Sequence, residues 1–143
     1  MTIAPAVAVA ATFTWLGMVV AISFLEAPLK FRAPGVTRWI GVSIGRLVFR
    51  ALNTVEVGLG LILVVVAVIS DPPAAPLLAG ICTVSVLAVQ LLIVRPYLRL
   101  HSDAVLAGSD TGGRSNGHLL YVGLEILKVG ALLATGATLF SAF

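Results

Sequence analysis

Apolar residues dominate four long stretches of the chain, and strongly polar residues break into them at few positions. A hydrocarbon core of about 30 Å needs about 20 helical residues to cross it. The stretches at about 5–29, 42–70, 74–95 and 117–141 each reach that length. None alternates apolar with polar residues as a half-buried strand would. In lipid, every backbone N–H and C=O must find its partner within the protein, so such runs predict helices. The expected fold is all-α, a four-helix transmembrane bundle forming a single domain. Pro5 suits an opening helical turn, and Pro28 and Pro34 mark the exit from the first span. Asp71-Pro72-Pro73 separates the second span from the third. Arg95-Pro96 marks the edge of the third, with a kinked extension to a Gly108 cap as the alternative. Ser109–Asn116 reads as a turn-rich loop, and Ser115 or Asn116 as the cap of the fourth helix.

The polar residues inside the spans follow helical spacing. His118, Tyr121, Glu125 and Lys128 step by three, four and three along the fourth helix and share a face. Arg46, Arg50, Asn53 and Glu56 step by four, three and three along the second and again share a face. Thr12, Ser23 and Glu26 lie on a common side of the first, near Trp15, and Gln90 is the strongly polar residue of the third before Arg95. With a rise of about 1.5 Å per residue, these groups converge on one half of the bundle. The other half holds small hydroxyls and Cys82, with no charge before Asp71.

Composition changes the solvent rather than the elements. Of 143 residues, 59% are hydrophobic and 10% charged, against about 25% charged in soluble domains. A soluble chain of this size could not hide so much apolar surface. The formal charge of +3 comes from few basic residues beside apolar runs, not from the basic stripe of a nucleic-acid binder. Lys30, Arg32, Arg38, Arg46 and Arg50 gather at the first connection, and Arg95, Arg99 and Arg114 at the third. By the positive-inside rule both connections face the cytoplasm and both termini face outward. The N-terminus lacks the basic n-region of a cleaved signal, so the first span is expected to stay. Phe31, Trp39 and Ile40 interleave with Arg32 and Arg38, as in a segment anchored among lipid headgroups. Abundant alanine, valine and glycine suggest a bacterial chain, hence a plasma membrane.

Chemistry is narrowed further by what is missing. A single cysteine, Cys82, excludes an intrachain disulfide and a two-cysteine redox motif. No nucleophile elbow stands out, the glycines of the third connection lack a phosphate-loop lysine, and no catalytic residue is assigned. His101 and His118 are the available histidines and form no preset pair, so no metal or cofactor is expected. Intramembrane charge points to a site by default. The leading expectation is a non-enzymatic bundle whose cytoplasm-facing polar pocket binds, or moves, a small amphipathic or lipid-like molecule. Glu26, Arg46, Arg50, Asn53, Glu56, Gln90, His118, Tyr121, Glu125 and Lys128 are its candidate residues. Three alternatives stand beside it. The buried charges can be purely structural, with Lys128 paired to Glu56 or Glu125 and Glu26 to Arg50. The chain can be an accessory subunit docked on a partner membrane protein. It can also be a membrane oxidoreductase or haem protein using the histidines. Gly41 and Gly45, and Gly130 with Ala134, offer close helix contact within the bundle or in a homo-oligomer.

Trp15-x-Gly17, Phe24, Pro28 and Phe31, Gly45-Arg46-x-x-Phe49, Arg95-Pro96 and His118-x-x-Tyr121 form a pattern along the chain. This pattern resembles an uncharacterised bacterial four-helix membrane family, similar to the transmembrane-protein-205-like group. The resemblance implies a four-helix integral membrane fold and brings no catalytic role.

Overall fold

The computed structural model describes residues 2–94, 96 and 116–142; of residues 94 and 116–119 it describes the backbone alone. Those residues form helices and short connections, with no strand among them. Helix α1 spans Ile3–Lys30, α2 Arg38–Ser70, α3 begins with Ala74–Val89, and α4 spans Asn116–Ala142. All four contain stretches long and apolar enough to cross a membrane. By length and composition these four helices fit a multi-pass membrane protein. The kinked extension toward Gly108, His101 and the loop before Asn116 lie outside the described residues.

Local chemistry sets the helix ends. Thr37 caps α2, its Oγ1 accepting the Ile40 N–H at 3.2 Å. This cap starts α2 four residues ahead of the span boundary read from apolarity, because Arg38 and Gly41 interrupt the apolar pattern in a turn that is already helical. At the far end Asp71 adopts φ 46°, and its N–H donates to the Ala67 carbonyl. The left-handed region costs most residues about 1–2 kcal/mol, and aspartate tolerates it better than most. Asp71→Val is therefore expected to lower the thermal midpoint in detergent, while Asp71→Gly leaves it unchanged or raises it.

Two wide turns interrupt the α-helical winding. α1 passes through a π segment at Val20–Glu26, where the Ala27 N–H donates to the Ile22 carbonyl five residues back. α3 runs into a second one at Gln90–Val94. Each stops two residues short of a proline, Pro28 and Pro96. A proline ring lacks the N–H that would bond the carbonyl four residues back and clashes with that carbonyl. Widening the preceding turn relieves both problems, and such bulges are frequent at functional sites.

The buried faces read at alternating steps of three and four. Tyr121, Glu125, Lys128, Leu132, Thr135 and Leu139 line α4. Asn53, Glu56, Gly60 and Leu63 line α2. Such spacing suits near-antiparallel helices wound gently about one another. α1 packs on α2 and α4, α4 packs on α3, and α2 and α3 scarcely touch although a short turn joins them. Around the bundle the order is therefore α2, α1, α4, α3, with a seam between the first and last. Near the Asp71 end this seam widens into an apolar cleft of about 190 Å³. Leu63, Ala67, Pro76 and Ile81 form its sides, and Ala8 and Leu139 its floor.

Hydroxyls in this half are satisfied locally. Thr12, Thr83 and Thr135 donate to carbonyls four residues back at 2.7–3.0 Å, and the hydroxyls of Thr83 and Thr135 meet at 3.3 Å. Gly41 is covered by the Phe31 ring, and a side chain at Gly45 would meet Lys30 Nζ. That glycine pair is used within the chain, whereas Gly130 and Ala134 face outward.

Candidate functional site

Side chains from all four helices meet at one level of the bundle. Lys128 of α4 is at its centre and is 0% exposed. Its Nζ lies 2.6 Å from Glu56 Oε2, 2.6 Å from Glu125 Oε1 and 2.7 Å from Gln90 Oε1. An ammonium carries three hydrogens, and three acceptors surround it, so its capacity is filled. Gln90 Nε2 donates in turn to Glu125 Oε1 at 2.7 Å. The Ser23 hydroxyl donates to Glu125 Oε2, also at 2.7 Å. The Trp15 indole N–H donates to Glu56 Oε2 at 2.7 Å.

The network leaves specific atoms over. Both oxygens of Glu125 are satisfied, but Glu56 Oε1 is buried with no hydrogen-bond partner. Asn53 Oδ1, one turn away on the same face of α2, is also buried without one. Glu56 is 0% exposed and Asn53 4%. Charge is unbalanced too, with two carboxylates facing one ammonium. Unpaired polar atoms cost about 1–3 kcal/mol each when buried, and more when charged. Two acceptors and an excess negative charge thus share one corner.

Aromatic layers bound this level on both sides. Toward the Asp71 end, Trp15 packs over Gly60 and beside Leu87, where a side chain on Gly60 would touch both. Toward the Lys30 end, the Phe49 and Tyr121 rings meet edge to face with centroids 5.9 Å apart. The π turns supply Ser23 and Gln90 from the flanks. A core of about 30 Å with one edge at Ser70 would take up about 20 residues of α2 and end near Arg50. Glu56 then lies about 9 Å inside that boundary.

The structure brings together Glu56, Gln90, Glu125 and Lys128, with Asn53 and Tyr121 buried beside them. It does not bring in the others. Arg46 and Arg50 are exposed on α2, where long arginine stems carry their charge outward at the end of the span. Glu26 is half-buried and sits 3.8 Å from Lys30, one turn along its own helix, so its ion pair is with Lys30 rather than Arg50. Lys30 in turn lies over the Phe31 and Phe49 rings at 5.5 and 5.7 Å from their centroids. Of His118 only the backbone is described. Lys128 pairs with both carboxylates at once, not with one or the other. The charged groups are also closed off inside the bundle rather than spread along the wall of an open vestibule.

Trp15 and Ser23 join the cluster although neither was among the candidate residues. Ser23 shares a side of α1 with Thr12 and Glu26, which was the available signal. Trp15 gave no signal beyond its neighbourhood, because an intramembrane tryptophan reads as packing until its indole N–H is placed. Among the described residues no group of histidine, cysteine, aspartate and glutamate could hold a metal ion. Comparison of the chain with protein-family models, curated proteins and solved structures finds no match.

Proposed function

We propose that the protein binds a small amphipathic, lipid-like molecule with a cationic head, received at the Asn53–Glu56 corner of the polar cluster. The observation that carries this reading is the pair of buried, partnerless acceptors, Glu56 Oε1 and Asn53 Oδ1, beside an uncompensated carboxylate. A hydrogen-bond donor bearing positive charge completes all three. The apolar cleft further along the α2–α3 seam suits the tail, which must pass the layer where Trp15 covers Gly60 to reach it. Glu56 and Leu63 are seven residues apart on one face of α2, so head and tail sites are separated by about 10 Å along it. In this reading the basic connections face the cytoplasm, both termini face outward, and the ligand enters from the cytoplasmic leaflet of a plasma membrane. Kinship with the transmembrane-protein-205-like group belongs to the same proposal.

A second role is favoured by a separate observation. Gln90, Glu125, Ser23 and Lys128 satisfy one another across three helices, as a structural clasp would. The work thus divides: this clasp holds the helices, and Glu56 with Asn53 meets the ligand.

The test is mass spectrometry of molecules retained by gently extracted protein, compared with Glu56→Gln and Asn53→Leu. Loss of a charge-assisted hydrogen bond is worth about 1.5–3 kcal/mol. Retention of a cationic amphiphile is therefore expected to fall about tenfold to a hundredfold in Glu56→Gln. Identical retained molecules in wild type and both variants would end this reading.

A further inference from the structure

We propose that the corner at Glu56 always holds one positive charge, and that a proton and the ligand's cationic head exchange there. This rests on the ligand reading above and adds what leaves when the ligand arrives. Glu56 meets Lys128 from α4 and Trp15 from α1, and through Lys128 it faces Glu125 and the uncharged Gln90. Tyr121 lies further toward the Lys30 end of α4, and Ser23 is on the far side of Glu125. Lys128 is therefore the cation of this level among the described residues, and its three hydrogens are committed. It neutralises one carboxylate. A second carboxylate left ionised in hydrocarbon surroundings carries a desolvation cost of several kcal/mol.

The free atom decides where the compensating charge goes. Glu125 has both oxygens occupied, while Glu56 Oε1 is empty and fully buried. Without ligand, a proton resides on Glu56 Oε1, making the cluster neutral: one ammonium, one carboxylate and one carboxylic acid. When a cationic head arrives, the O–H bond of Glu56 breaks and the proton passes to a water molecule, which carries it to the bulk solvent and its buffer. The resulting carboxylate then pairs with the head, so one charge enters for each that departs. Asn53 Oδ1 accepts from a donor-bearing head or from the water that accompanies the proton.

Exchange of this kind has two signatures. Ligand binding releases a proton, and affinity for a permanent cation rises with pH, about tenfold per unit while Glu56 is protonated. The experiment uses the protein in lipid nanodiscs with octylguanidinium, whose positive charge is fixed across the pH range of the experiment and whose N–H groups donate hydrogen bonds. Infrared spectra of the ligand-free protein are expected to show a protonated-carboxyl band at neutral pH that Glu56→Gln removes. Calorimetry in two buffers of different ionisation enthalpy is expected to count about one proton released per cation bound. A missing band, or binding whose affinity is flat from pH 6 to 9, would overturn the exchange and leave the ligand reading standing. A band present with no binding of the probe at any pH would overturn both. Glu56→Gln folds as the neutral form does, so its loss of the band reports on the proton and not on unfolding.

Discussion

Lys128→Met is expected to destabilise the protein more than any other single substitution in the bundle, by about 3–5 kcal/mol. Methionine fills similar space, so the loss is electrostatic. The substitution strands both carboxyl groups and the Gln90 carbonyl in a site closed to bulk solvent, since Glu56 and Glu125 are 0% and 1% exposed. Breaking a buried pair by deleting one partner is far costlier than neutralising the whole set. Glu56→Gln behaves in the opposite way. A glutamine keeps an acceptor for the Trp15 N–H and Lys128 and is uncharged like the protonated Glu56 it replaces. Its thermal midpoint in detergent is expected to match or exceed wild type. Two substitutions touching one ion pair thus differ in sign, which a purely symmetric salt bridge would not produce.

Trp15→Leu carries the second large effect, a loss of about 3 kcal/mol measured by chemical or thermal unfolding in detergent. Trp15 is 0% exposed and fills the layer between the polar cluster and the apolar cleft. Leucine leaves a void beside Gly60 and removes the donor to Glu56 Oε2. Lipid is as apolar as leucine, so little of the loss is hydrophobic transfer; it comes from packing contacts and one hydrogen bond. Trp15→Phe separates the two, because the ring still fills most of the space while the N–H is gone. It is expected to lose about 1–2 kcal/mol.

The helices were legible because lipid imposes one rule on every residue of a span, and the four apolar runs have no other way to satisfy their backbones. The meeting of Glu56, Gln90, Glu125 and Lys128 was legible for a related reason. Helical phase puts each on an inward face, and the rise per residue puts them at one depth. Arg46 and Arg50 share that phase but stand nearer the end of the span, where a flexible stem can carry a charge out, and periodicity holds no information about that choice. The partner of Glu26 was misread because a residue one turn along the helix, Lys30, is a shorter reach than Arg50 on another helix. The two π turns were hidden in plain sight at Pro28 and Pro96. Both prolines read as exits from the membrane, whereas each follows a widened turn inside its helix. The contribution of Trp15 depends on the direction of one N–H bond, which no spacing rule reports.

The central claim is that the Glu56 and Glu125 carboxyl groups and the Lys128 ammonium form a single coupled unit inside the bundle. Thermal unfolding of Lys128→Met, of the double variant Glu56→Gln/Glu125→Gln, and of the triple variant combining them tests it most directly. Coupling predicts that the triple variant, with no charge left to strand, recovers most of the stability that Lys128→Met loses. A triple variant whose loss is the simple sum of the other two would mean that these side chains do not depend on one another.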